Sequence, residues 1–320
     1  MNRNLQYIYA VYKAGSLSAA ARELYISQPS LSATIKKVEE NLGVPIFNRK
    51  TKPLSLTEYG TQYIAYLEKI QDLEREFDRY LNDVRGLHTG TLWIGANNVF
   101  ASFVLPALIC EFKSLYPGIQ VQMVEGNISY LENALLSGNL DFVLDNCPMD
   151  TDTCVQHCFG TEHLLLAAHR SVYNPTQFLT PCLSHQDILC GKHLNTNTPS
   201  LSIEAFSDLP FIALRNGNDT RLRMNTIFQE ANLKANIQLE VDQLATAYNI
   251  SCTGLGLTLV SDTLLYKVPL HPDMHYYKLD SASTTRKMYL YHNRSHYLTM
   301  AMQKFMDSVF SEQFDTASIV

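Results

Sequence analysis

No run of about 20 apolar residues occurs in this 320-residue chain, so the sequence offers no helix able to span a bilayer. Leader character is lacking too: Asn2-Arg3-Asn4 passes directly into an amphipathic pattern, without the basic-then-apolar segment of a secretory signal. A cytoplasmic location with no membrane partner is expected. Cysteines are few and unpatterned. There are seven, an odd number, which argues for reduced thiols over a disulfide framework. Catalytic signatures are missing as well: no GxSxG elbow, P-loop, GxGxxG after a strand or HExxH is present. Gly254-Leu255-Gly256 is only a pair of glycines at a helix-to-strand turn, which reads as a C-cap. Cys147, Cys154-Val155-Gln156-His157-Cys158 and His163 form one ragged cluster, whereas tetrahedral zinc wants four convergent ligands, commonly as two paired knuckles. The expectation is therefore no enzyme, no cofactor and no metal.

What is present is a basic N-terminus on an acidic body. Residues 1–57 hold eight Lys/Arg against three Asp/Glu, a charge of +5, while residues 58–90 carry −3 and residues 91–320 carry −8, giving −6 in all. Positive charge concentrated in one small segment points to a polyanion there, and the acidic remainder limits indiscriminate adhesion.

That segment contains SLSAAARELYISQPSLSATIKKVEENL, from Ser16 to Leu42. Ser16 or Ser18 can cap a helix running to Leu24, whose Ala19-Ala20-Ala21 run admits another helix at close range. The preceding helix, Asn4 to Ala14, supplies Leu5, Ile8, Tyr9 and Tyr12 to that contact. Tyr25-Ile26-Ser27 makes a turn, Ser27 caps a second helix from Gln28 to Leu42, and Pro29 sits in its first turn, where a missing N–H costs nothing. Leu31, Ile35, Val38 and Leu42 fall on one stripe, facing a core. Gln28, Pro29, Ser30, Ser32 and Ala33 form a small, hydrogen-bonding start suited to base edges, and Lys36 and Lys37 suit phosphates. This is a helix-turn-helix for double-stranded DNA. Downstream, residues 43–57 read as two short extended pieces around a basic tip of Arg49, Lys50 and Lys52, a wing that adds phosphate contacts.

AAARELYISQPSLSATIKKVEENLG followed by IFNRKTKPLSLTEYG resembles the N-terminal signature of LysR-type bacterial transcriptional regulators over about the first 60 residues. The resemblance implies a winged helix-turn-helix at 1–58, a linker and dimerisation helix at 59–88, and a two-lobed α/β effector-binding domain at 89–320 similar to bacterial solute-binding proteins. Lobe I would take about 91–165 and 268–320, and lobe II about 166–267. Pro53 stands near a position that is often basic in the family, and Leu259-Val260-Ser261 lacks a proline often found there. Cys182 and Cys190 resemble the paired cysteines of peroxide-sensing members, but those lie elsewhere in the lobe, so these thiols are expected to be inert.

From Glu58 to about Arg85 the apolar positions Tyr63, Tyr66, Ile70, Leu73, Phe77, Tyr80 and Val84 recur in steps of 3 and 4. Three heptads on a helix of roughly 42 Å, with charged residues filling the other positions, predict a seam with a partner helix, hence a homodimer or homotetramer. Two helix-turn-helix units would then read two half-sites.

Beyond Gly86 to Gly90 the pattern is β-α-β-α-β: strands at 92–95, 119–124 and 140–144, helices at 103–116 and 128–137. A second lobe follows with strands at 163–168, 211–214, 237–241 and 257–260 and helices at 221–231 and 244–252. Strands at 276–279 and 287–291 and a helix at 297–310 close the chain, and residues 174–202 read as an irregular insertion. The alternation predicts a mostly parallel sheet with its ligand at the carboxyl ends of the strands. Asn97, Asn98, Val99, Phe100 and Ser102 follow the first strand, and Gly126, Asn127 and Ile128 the second; both loops open helices and can meet an anion such as a carboxylate. Arg215, Asn216 and Thr246 are expected to answer from the second lobe, with Arg215 setting the ligand's charge sign by bidentate pairing. The expected function is sequence-specific DNA-binding regulation by a small polar effector, with closure of the lobes rotating the linker helices. The alternative is an α/β solute-binding or enzymatic domain with an accessory DNA-binding domain.

Overall fold

A computed structural model describes residues 3–49, 51, 53–84, 90–174 and 181–310, with side chains except at 75, 76, 78, 79 and 82–84. The chain divides into two units, Met1–Val84 and Arg85–Val320.

In the first unit, α1 (Arg3–Ala14) precedes α2 (Leu17–Glu23), capped by Ser16, and α3 (Gln28–Leu42), capped by Ser27 through the Ser30 N–H at 3.3 Å. Gly43 ends α3 at φ +74°, the left-handed turn that glycine enters without a Cβ penalty. Strands β1 (Phe47–Asn48) and β2 (Ser55–Leu56) pair antiparallel as a wing, and α4 (Glu58–Val84) follows. Ile8, Val11, Ala20, Ala21, Leu31, Ile35, Ile46 and Phe47 close a core with Ile64 and Leu67 of α4. Gly60 lies against that core so closely that a Cβ would stand 2.0 Å from the Ile46 carbonyl oxygen. One stripe residue departs from expectation: Leu42, at the last turn of α3, is exposed.

The second unit begins with β3 (Gly90–Ala96), α5 (Asn98–Phe103), α6 (Leu105–Leu115), β4 (Ile119–Glu125), α7 (Ile128–Leu136) and β5 (Phe142–Asp145). The helix read at 103–116 is α6, which starts two residues later at Leu105; the short α5 precedes it as a separate helix, because Pro106 has no N–H for the carbonyl of Ser102 and the chain breaks at Val104. Strand β6 (Cys154–His169) then runs 16 residues. Only its apolar end was legible, since Gln156, His157, Thr161 and Glu162 conceal the strand signal of its first half. The insertion is less irregular than its composition suggests: it carries α8 (His185–Leu189), a 3-10 turn at Lys192–Leu194 and β7 (Ser200–Leu201). Next come β8 (Pro210–Leu214), α9 (Asp219–Glu230), β9 (Asn236–Val241), α10 (Leu244–Ser251), β10 (Thr258–Ser261) and α11 (Asp262–Leu265). The last described elements are β11 (Met274–Leu279), β12 (Thr285–Asn293) and α12 (Met300–Val309), which starts three residues later than the helix read at 297–310 and is capped by Thr299.

The main sheet is mixed, correcting the mostly parallel expectation. Strand β3 pairs parallel with β4 and β5, but β6 pairs antiparallel with β10, β11 and β12, and β12 antiparallel with β5. A separate parallel pair, β8–β9, belongs to the second lobe. The antiparallel members are the connections: β6 carries the chain out of the first lobe and β12 brings it back. One core contains Ile94, Phe100, Phe112 and Phe305 with Ile212 and Val260, and a second packs Phe206, Phe211, Phe228 and Tyr277.

Candidate nucleic-acid interface and ligand cleft

Helix α3 presents Gln28, Pro29, Ser30, Ala33, Lys36 and Lys37 to solvent, with Ser32 half-buried, while Leu31 and Ile35 anchor the opposite side. Tyr25 in the turn is 95% exposed at φ +54°, a left-handed conformation costly for a residue with a Cβ. Lys36 lies 3.5 Å from Glu40, a solvated i,i+4 pair that holds it weakly. Arg49 is more committed than the sequence indicated. Its guanidinium donates to Glu39 Oε2 at 2.9 Å, while Glu39 Oε1 accepts the N–H groups of Ile46 and Phe47 at 2.8 and 3.1 Å. Glu39 thus fastens the wing to α3, a role that sequence reading missed. Lys50 and Lys52 lie outside the described residues.

Along α4, Tyr66, Leu73, Phe77 and Tyr80 are exposed and Ile70 is half-buried. Tyr63, assigned to that seam, packs instead against the unit's own core. The side chain of Val84 is outside the described set.

In the second unit a cavity of about 610 Å³ opens at the carboxyl ends of β3, β4, β5, β8 and β9. Asn97, Asn98, Val99, Gly126, Asn127, Ile128, Arg215 and Asn216 line it, as expected from the strand–loop–helix pattern. Phe100, Ser102 and Thr246 do not line it. Phe100 is fully buried in the core, and Ser102 and Thr246 are exposed one turn along their helices. Asn97 and Asn127 act as helix caps: their Oδ1 atoms accept the N–H groups of Phe100 and Tyr130 at 3.1 and 2.9 Å. Asn98 donates its amide to Glu125 at 3.0 Å, and Gln243 of the other lobe reaches the same carboxylate oxygen at 3.5 Å. Arg215 does not stand ready alone for an anion, because its guanidinium pairs with Asp242 at 3.4 Å and both groups are largely exposed.

Sequence reading missed the charged floor of this cleft. Arg286 is buried, with Nε on Glu162 at 2.6 Å and a terminal nitrogen on Asp219 at 2.7 Å and Thr220 Oγ1 at 3.0 Å. Glu162 is fully buried, also accepts from Asn146 at 3.0 Å, and leaves Oε1 with no partner among the described residues. Beside it, burial pushes the Asp145 carboxyl up to about 6, against the lowering effects of the Cys147 N–H, the Asn97 side chain and the Arg286 charge. Burial likewise raises the thiols of Cys147, Cys154, Cys182 and Cys252. Of the ragged Cys/His cluster, Cys147 follows β5 and the rest lies along β6, where about 3.3 Å per residue separates Cys154 from Cys158 by ~13 Å and from His163 by ~30 Å.

Both units match known families. Residues 2–61 match the bacterial regulatory helix-turn-helix proteins of the lysR family, and residues 85–313 match the LysR substrate binding domain. This chain belongs to the LysR family of transcriptional regulators. Its relatives include an uncharacterized HTH-type regulator, YcgK of Bacillus subtilis, 26% identical over 95% of this chain and 92% of that protein. The transcriptional activator CmpR of Synechocystis is 23% identical over 94% and 92%. Among solved structures, full-length CbnR in complex with its target DNA aligns with a TM-score of 0.65 at 20% identity, over 96% of this chain and 98% of that one. A full-length OxyR variant from Pseudomonas aeruginosa aligns at 0.67 and 20%, over 96% and 93%. The regulator thus joins a helix-turn-helix DNA-binding unit to a two-lobed effector-binding domain. None of its described helices is long and apolar enough to cross a membrane.

Proposed function

We propose that the regulator, acting in the cytoplasm and without catalysis, binds promoter DNA as a homodimer or a pair of dimers and changes its binding when a small polar effector enters the cleft. In this reading Gln28, Pro29, Ser30, Ser32 and Ala33 enter the major groove. Lys36, Lys37, Lys50 and Lys52 meet phosphate, and Arg49 does so with the donors that Glu39 leaves unused. The seam of Tyr66, Leu73, Phe77 and Tyr80, with half-buried Ile70, packs on its copy. The observation that carries the proposal is the face of α3, where a small, polar, exposed N-terminal turn is followed by two lysines and flanked by a wing. Sorting by contact type gives the test. Lys37→Ala should weaken binding to all sequences and lower the slope of affinity against salt by about one unit. Ser30→Ala should instead change preference at one base pair and leave that slope unaltered. Footprinting upstream of the regulator's own gene supplies the operator, and exchanged behaviour of the two variants would overturn the face assignment.

A further inference from the structure

Three side chains far apart in sequence converge in the second unit without belonging to the cleft's lining. His163 on β6, His193 in the 3-10 turn of the insertion and Asp262 at the start of α11 bring one ligand atom each to within 4.8 Å of the others. His163 Nδ1 lies 2.9 Å and His193 Nε2 3.2 Å from the same oxygen, Asp262 Oδ2. The other oxygen, Oδ1, accepts the backbone N–H groups of His163 and Thr263 at 3.0 and 2.9 Å, which fixes the carboxylate's orientation. His193 and Asp262 are buried, while the His163 side chain is 31% exposed.

We propose that His163, His193 and Asp262 form a binding site for a divalent transition-metal ion of the zinc class. Zinc held tetrahedrally at about 2.0–2.2 Å spaces its ligands by roughly 3.4 Å, close to the two separations already present. Two imidazoles and one carboxylate are a borderline donor set: they suit zinc, cobalt or nickel better than magnesium or calcium, and without a thiolate they do not select copper(I). The exposed edge of His163 leaves a position for water. His193 Nδ1 is buried with no partner among the described residues, so no hydrogen bond orients that ring from behind. Outer-shell partners of this kind are worth about 10–100-fold in affinity, so the site holds its ion more weakly than one with both rings anchored. Its structural effect is to fasten the insertion and the start of α11 onto β6, the strand that passes from one lobe to the other.

The test uses the full-length chain after chelator treatment, titrated with cobalt(II) by absorbance and with zinc chloride by calorimetry. One ion per chain is expected, with the strong d–d bands of four-coordinate cobalt and no thiolate charge-transfer band. His163→Gln, at a partly exposed position, and His193→Gln should each weaken affinity by more than about tenfold. Asp262→Asn is the less informative variant, because it perturbs an acceptor of two backbone N–H groups. Absence of saturable binding would overturn the proposal and leave a hydrogen-bonded network. Binding unaltered in a folded His163→Gln, with circular dichroism as the check on folding, would equally overturn it, as would a thiolate band placing the ion on cysteine.

Discussion

Replacing Arg286 by methionine removes one guanidinium from the floor of the cleft and leaves two carboxylates behind, and the structure says which of them suffers. Asp219 keeps Arg223 Nε at 2.7 Å and is partly solvated. Glu162 keeps only the Asn146 amide, is fully buried and already has one orphaned oxygen. At about 4 Å between charge centres and an effective dielectric near 20, the lost attraction is about 4 kcal/mol. Breaking a buried pair from one side costs about 3–5 kcal/mol, because the remaining charge is uncompensated. Arg286→Met should therefore destabilise the second unit by about that amount. Adding Glu162→Gln should restore most of it, since the buried charge is then gone and Asp219 retains its own partner. The assay is built into the chain: its single tryptophan, Trp93 on β3, lies in the second unit, so selectively excited fluorescence during urea unfolding reads that unit alone. A double variant no more stable than Arg286→Met, or a single variant unfolding with the wild type, would refute the argument.

Asp145 predicts a pH effect of definite sign. Its carboxyl titrates near 6 in the folded unit against 3.8 as its ordinary value, so between these pH values the folded state binds the extra proton and stability falls as pH rises. Asp145→Asn should therefore gain on the wild type by up to about 3 kcal/mol from pH 4 to pH 7, and a difference constant with pH would contradict the assigned cause. Phe77→Asp, on the exposed seam of α4, should cost several kcal/mol of dimer stability. Sedimentation velocity at matched concentration checks this, and an unchanged dimer would remove the seam from the interface.

The legible parts are those whose causes are local. Ser27, Pro29 and Gly43 mark the start and stop of α3 because capping and left-handed turns act over three or four residues, and the strand–loop–asparagine junctions at Asn97 and Asn127 mark helix starts likewise. For the same reason, these asparagines spend their oxygens on caps, a use that spacing cannot separate from ligand binding. Long-range pairings left no trace. Arg286 and Glu162 are 124 residues apart, and His163 and Asp262 are 99 apart, so neither partner carries a local signal of the other. The polar first half of β6 was hidden because it is read from its pairing with β12, not from its own alternation. Glu39 carries no local signal of its role, and only the packed wing shows that it accepts two backbone N–H groups.

The cleft's charges constrain which effector can shift the regulator. Four carboxylates, Glu125, Asp145, Asp219 and Asp242, line it against two guanidiniums, Arg215 and Arg286, so helix starts are not the dominant field there. Of the four helices whose starts line the cleft, α5, α7 and α9 already have an asparagine oxygen taking an N–H, whereas α10, preceded by Gln243, starts without a side-chain cap. Capacity for an anion thus concentrates at the α10 start in the second lobe. Capacity for a donor sits at Glu125 and Asp145 in the first. A ligand that uses one lobe alone has equal affinity for open and closed forms and shifts nothing, however tightly it binds. A ligand with a carboxylate at one end and an amino group at the other engages both, and so gains from closure. Amino acids should accordingly raise the unfolding midpoint read by Trp93 more than the matched carboxylic acids lacking the amino group. Equal shifts within each matched pair, at the same concentration and pH, would show that the acidic side of the cleft takes no part in recognition.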